Sequence, residues 1–169
     1  GLTVFGEEAF TFTPLTLDER GAVRFIQQVQ VGIAGAQGTA VGDGIAIAAQ
    51  RLNQRDSKSG VMILLTDGES NVGIDPIRAA NAASALGFRI YTIGIGAPMR
   101  ASFTRRRAGL DEETLRQIAE RTGGRYFRGQ TLVALETIYS EIDQIEPTSA
   151  VVRQQITRRE EFRPWAVSA

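Results

Sequence analysis

The sequence predicts an α/β domain built on a doubly wound, mostly parallel sheet with one antiparallel hairpin at an edge, and three observations carry this. The apolar run Val61-Met-Ile-Leu-Leu65 has neither charge nor alternation, as a central strand buried on both faces does. From Val61 onward, strand-like and helix-like stretches alternate, the order of a parallel sheet with helices on both faces. Before it, Leu2–Phe5 and Ala9–Thr13 are short β-prone runs joined by Gly6-Glu7-Glu8, which predicts a hairpin.

Taken in order, Pro14 closes the hairpin. Thr16-Leu-Asp-Glu19 fits a capping box, and Ala22, Phe25, Ile26 and Val29 follow at helical spacing, so a helix is expected from about Leu17 to Gln30. A small-residue loop, Gly32 to Gly38, leads to Thr39 and a second helix whose apolar face is Val41, Ile45, Ala48, Ala49 and Leu52. After the strand at Val61, Asp75-Pro76 starts a third helix as N-cap and first-position proline, and Gly87 stops it. Arg89–Ile95 is the next buried strand. Asp111-Glu-Glu opens a helix with acids at its positive end, and Leu115, Ile118 and Ala119 face inward. Arg125–Arg128 reads as a short edge strand, and Leu132, Leu135, Ile138, Tyr139 and Ile142 mark the last helix.

Composition removes several function classes. The 169 residues suit one domain, and acidic and basic residues balance at 19 each, so no global field attracts nucleic acid or membrane. Absence of cysteine excludes disulfides, thiolate metal sites and a cysteine nucleophile. Absence of histidine removes the commonest general base and transition-metal ligand, so a metal here would take oxygen ligands. No stretch approaches the ~20 apolar residues of a membrane-spanning helix. The chain opens on a strand pattern without an initiating Met, and it is expected to be part of something longer.

The candidate chemistry sits where the Val61 strand ends, in Thr66-Asp67-Gly68-Glu69-Ser70-Asn71. Open α/β sheets bind ligands just beyond the carboxyl ends of their strands, which points to Asp67; the competing reading is a plain Asp-Gly turn. Thr39 stands at a helix start, where its hydroxyl could serve a ligand or simply cap free N–H groups. The Gly32–Gly38 loop lacks the Gly-Lys-Ser/Thr continuation of a phosphate loop. Arg105-Arg-Arg107 lies in a polar loop and either grips an anion or is a solvated surface. Residues 147–169 read as a linker or extended tail in which Trp165 either meets a membrane interface or packs on the domain.

Gly38-Thr39-Ala-Val-Gly-Asp43, Leu64-Leu-Thr-Asp67-Gly68 and Tyr91-Thr-Ile-Gly-Ile-Gly96, in this order and spacing, resemble a von Willebrand factor type A domain. Leu2-Thr-Val-Phe-Gly6, Pro14-Leu-Thr16, Asp111-Glu-Glu-Thr-Leu115 and Thr122-Gly-Gly-Arg-Tyr-Phe127 are similar to its bacterial aerotolerance-type (Bat) branch. The resemblance covers residues 1–146 and implies a Rossmann-like sheet bearing a metal-ion-dependent adhesion site. By motif match Thr39 and Asp67 are metal ligands, Mg²⁺ or another divalent cation is the cofactor, and an acidic residue of a protein partner completes the site. Asp43 would either lend a nearby carboxylate or be an ordinary first-turn acid.

One departure stands out. The family's Asp-x-Ser-x-Ser loop and the first strand that carries it are absent from these residues, and Asp56-Ser-Lys-Ser59 lies at the wrong end of its strand. The resemblance places that strand between the hairpin and Val61–Leu65, so this chain alone is expected to bind metal weakly or not at all and to self-associate through unpaired sheet edges. It further implies a non-enzymatic protein-binding module of a bacterial inner-membrane protein, facing the periplasm and anchored by segments outside this chain. The alternatives are a metal-dependent hydrolase or phosphotransfer enzyme centred on Asp67, and a structural module without metal.

Overall fold

A computed structural model describes residues 1–35, 37–54, 60–66, 70–95 and 112–146. Asp67, Asp56–Ser59, Arg105–Arg107, Asp111 and the 147–169 tail with Trp165 lie outside the described residues. Strands β1 (Leu2–Phe5) and β2 (Ala9–Thr13) form the expected antiparallel hairpin, with Phe5 opposite Ala9 and Thr3 opposite Thr11. Helices α1 (Glu19–Ile26) and α2 (Val41–Asn53) follow, then β3 (Gly60–Thr66), α3 (Pro76–Ala85), β4 (Phe88–Ile95), α4 (Glu112–Arg121), β5 (Tyr126–Gly129) and α5 (Leu132–Ile145). β3 pairs with β4 and β4 with β5, both parallel, so β4 is the middle strand of a three-stranded sheet.

Burial follows the strand period. Met62 and Leu64 of β3 join Phe88 and Ile90 of β4 on the face covered by α2, α3 and α4. Tyr91 and Ile93 point the other way, against Ile138 and Ile142 of α5. Side chains of a pleated strand alternate in this manner, and the two clusters show that helices do flank both faces of β4.

Three expectations are corrected. β3 is not buried on both faces: Val61, Ile63 and Leu65 keep 37%, 39% and 41% of their surface exposed. The reason is that α5 packs on β5 and on the Tyr91–Ile93 side of β4 and leaves that face of β3 uncovered. Nor is β3 central, since among the described residues no strand pairs with its outer edge; β4 holds that place. The separate two-stranded hairpin agrees with the expectation that a strand between it and β3 is missing from this chain, and α2 connects the two sheets by touching β1, β2 and β3. The first helix is also shorter than its periodicity suggested. Asp18, not Thr16, caps it by accepting from the Gly21 N–H at 2.9 Å, and Val23, Phe25 and Ile26 remain about half exposed while α1 packs on β2 of the hairpin.

Side chains fasten the helices to the sheet where backbone pairing stops. β5 reaches β4 only from Thr92 onward, so the earlier Ile90 N–H has no strand partner; it donates to the buried Thr122 hydroxyl at 3.0 Å. The Thr92 hydroxyl donates to the Leu115 carbonyl at 2.9 Å and holds α4. At the end of α5, Glu146 accepts from the Tyr91 hydroxyl at 2.8 Å and pairs with Arg89. Burial, then the Glu146 carboxylate, pushes the Tyr91 phenol above its ordinary pKa.

Candidate metal centre

The candidate centre forms where two loops meet at the carboxyl end of β3. Gly38-Thr39-Ala40 leads into α2, and Ser70–Asp75 runs from beyond β3 into α3. Ala40 is fully buried and its N–H donates to the Gly6 carbonyl at 2.7 Å, which fixes the entry to α2 against the hairpin turn. Half-buried Thr39 is then joined to the other loop twice. Its N–H donates to Asn71 Oδ1 at 2.9 Å, and its carbonyl accepts from the Asn71 N–H at 3.2 Å.

One turn into α2, Asp43 makes a third link, accepting from the Ile74 N–H through Oδ1 at 2.9 Å. The close approach requires small residues. Gly73 has φ +78°, a left-handed conformation that favours glycine, and its missing side chain leaves room for the Asp43 carboxylate. A Cβ on Gly42 would overlap the Ile74 carbonyl. Asp75 ends the loop by capping α3, accepting from the Arg78 N–H at 2.9 Å.

These contacts bear on the sequence-based candidates. The capping alternative for Thr39 does not hold: Ala40 is the N-cap residue of α2, with no side-chain cap, and among the described residues the Thr39 hydroxyl makes no hydrogen bond. Among the described residues nothing competes with a ligand for that oxygen. Asp43 is more than a first-turn acid, because it holds the Ser70–Asp75 loop. Asp67 lies outside the described residues. The sequence reading placed Asn71 only in the polar turn Thr66–Asn71, and its pairing with Thr39 had no signal there.

Divalent cations such as Mg²⁺ need one or two carboxylates and near-octahedral oxygen ligation. Among the described residues no group of three acidic, histidine or cysteine side chains could hold a metal ion. Thr39 offers a neutral oxygen and Asp43 is engaged with Ile74, so the described residues do not by themselves fit a divalent cation; a bound ion would depend on oxygen ligands beyond them.

An open α/β sheet whose strand-end loops are tied into one rim defines a domain of the class that binds ligands past its strand ends. The sequence profile of the von Willebrand factor type A domain matches residues 1–141, and the chain belongs to that family. Domains of the family are typically adhesive or protein-binding and generally non-enzymatic. Among solved structures, BatB from Bacteroides thetaiotaomicron is similar with a TM-score of 0.70 and 27% identity, over 86% of this chain and 78% of that one. An aerotolerance-related membrane protein from Bacteroides fragilis gives 0.67 and 28%, over 84% and 77%. The chain is a homologue of these proteins. Proximal thread matrix protein 1 from the mussel byssus, solved with a zinc-occupied MIDAS motif, shares the fold at a TM-score of 0.62 and 24% identity, over 83% and 34%.

Among curated relatives, a UPF0353 protein of Mycolicibacterium paratuberculosis is 30% identical over 161 residues, which is 85% of this chain and 47% of the relative. An uncharacterized protein of Borreliella burgdorferi is 24% identical over 181 residues, 100% of this chain and 53% of its own length. The chain thus spans about half the length of the curated relatives it matches. Among the described residues no helix is long and apolar enough to cross a membrane.

Proposed function

We infer that this domain is a non-enzymatic protein-binding module whose partner presents an acidic side chain to a divalent cation, with Thr39 and Asp67 as the ligands from this chain. The observation that carries the reading is the Thr39 hydroxyl, free of any capping role and stapled through its own backbone to the loop that follows β3. A hydroxyl and a carboxylate leave open positions on a hard cation, and a partner carboxylate is the ligand such a cation takes. Membership of the family and the zinc-occupied site of the mussel protein support the same assignment. We further read residues 1–146 as the domain and 147–169 as a linker or tail. Likeness to a membrane protein of Bacteroides fragilis supports a place on the periplasmic side of a bacterial inner membrane, held by segments outside this chain.

Calorimetric titration with Mg²⁺ or Mn²⁺ tests the assignment. This chain is expected to bind weakly or not at all, because Thr39 and Asp67 together place one formal charge on the ion. The full-length protein is expected to bind more tightly, and there Asp67→Ala and Thr39→Ala should each weaken binding at least tenfold without unfolding the domain. Unchanged affinity in both variants would refute the assignment.

A further inference from the structure

A third segment borders the rim around Thr39. The Ala40 N–H donates to the Gly6 carbonyl at 2.7 Å and the Glu8 N–H to the Ala34 carbonyl at 3.0 Å, so the hairpin turn Gly6–Glu8 is bonded to both ends of the stretch that leads to Thr39. Gly38 lies where the three segments come closest. A Cβ there would stand 2.8 Å from the Val72 side chain in the loop after β3, and 3.4 Å from Glu7 Cα in the turn. Glu7 is also seated against this stretch, since a Cβ on Gly35 would stand 3.0 Å from its Oε2. A visitor to Thr39 therefore meets the hairpin turn as well.

The charge in these segments has one sign. Residues 25–42 and 70–74 contain no Asp, Glu, Lys or Arg. Asp43 and Asp75 are taken up by the Ile74 and Arg78 N–H groups. Glu7 and Glu8 are exposed, and among the described residues neither carboxylate makes a hydrogen bond or an ion pair. Beside them Val72 keeps 38% of its surface exposed against Gly38. A partner that brought only an acidic side chain to this rim would face two uncompensated carboxylates, and like charges brought together across an interface are penalised. A basic side chain next to the acid turns that penalty into attraction, and the same two carboxylates then reject purely acidic partners.

We propose that the partner is a protein segment of mixed charge: beside its acidic residue it carries a Lys or Arg that Glu7 and Glu8 receive, and a large apolar side chain that rests on Val72. Glu7 follows Gly6, whose carbonyl is bonded to the residue after Thr39, so base and acid lie within a few residues of each other on the partner. The acidic half of this description rests on the metal reading given above; the basic half rests on the two glutamates.

Panning the full-length protein, held in lipid nanodiscs with Mg²⁺, against a library of random displayed peptides tests it. Enriched sequences are expected to carry Lys or Arg within a few residues of Asp or Glu. A synthetic copy of the most enriched one should bind the Glu7→Gln/Glu8→Gln variant at least tenfold more weakly, while that variant keeps the melting temperature and Mg²⁺ affinity of the parent. Glu7→Lys/Glu8→Lys should select peptides without the basic residue. Enriched peptides that lack Lys and Arg would overturn the proposal, as would no enrichment at all or equal affinity for Glu7→Gln/Glu8→Gln. A loss of Mg²⁺ affinity in that variant would make the glutamates ligands of the ion and also overturn it. Chelation separates the two readings. Peptide binding that survives EDTA but not Glu7→Gln/Glu8→Gln supports the role of the glutamates and refutes the metal site, whereas binding abolished by EDTA and indifferent to the glutamates does the reverse.

Discussion

Gly42 lies in the first turn of α2, where helix propensity favours alanine over glycine by about 0.5–1 kcal/mol. Gly42→Ala is nevertheless expected to destabilise the domain. The added Cβ would overlap the Ile74 carbonyl oxygen and stand 3.2 Å from the Asp75 carbonyl carbon. Both obstacles are backbone, so relief requires the Ser70–Asp75 loop to move away from α2. That movement breaks the bond from the Ile74 N–H to the Asp43 carboxylate, worth about 1.5–3 kcal/mol as a charged-group hydrogen bond. It also disturbs the Asp75 cap of α3, worth about 0.5–2 kcal/mol. After the propensity gain is subtracted, the expected loss is about 1–4.5 kcal/mol. With a urea slope of about 1–3 kcal/mol per molar, the midpoint should fall by about 1 M at unchanged slope. Gly44→Ala is the control: its Cβ would meet the Phe5 ring at 2.8 Å, a side chain that can turn away, and the cost should stay below about 1 kcal/mol. A Gly42→Ala midpoint equal to or above that of the parent would refute the three-way link between α2, the loop and α3.

Thr39→Ala should change stability by less than about 0.5 kcal/mol, because its hydroxyl caps nothing. Thr131→Ala, which removes the acceptor for the Ala134 N–H at the start of α5, should cost about 1 kcal/mol in the same denaturation assay. Tyr91→Phe should cost about 1–2 kcal/mol near neutral pH through loss of the bond to Glu146. Because the folded state raises the Tyr91 pKa, its contribution is complete below the unfolded value of about 10 and is lost as pH rises through the folded value. The stability gap between parent and Tyr91→Phe, followed by urea denaturation from pH 8 to 11 (a range set by that tyrosine value), should therefore narrow above about pH 10. A gap that widens there would contradict the assignment.

Local signals located every element, since hairpin turn, Asp75-Pro76, Gly87 and helical spacing act through neighbouring residues. The relation between sheets was less legible. Val61–Leu65 is apolar throughout, a pattern that assumes cover on both sides, and nothing in the run itself records that α5 stops short of β3. The length of α1 was overestimated for a similar reason, because apolar spacing persists past Ile26 with no sheet behind it. At the candidate centre, motif and spacing singled out Thr39, but its partner Asn71, like Ile74, the partner of Asp43, lies more than thirty residues away. No local pattern announces a contact of that kind, and only the assembled loops reveal why Gly42 and Gly73 are glycines.

The bonds among Thr39, Asp43, Asn71 and Ile74 have a thermodynamic corollary for recognition. Ordering interface loops ordinarily subtracts from affinity, at about 0.5–1.5 kcal/mol for each immobilised side chain. Here the two loops are already crosslinked by folding, so a visiting ligand meets a preorganised rim and loses little conformational entropy in docking to it. Loosening the rim, by Asn71→Ala for instance, would therefore transfer that ordering cost to the binding step, and would appear as weaker affinity with a less favourable binding entropy, although Asn71 need never touch the ligand.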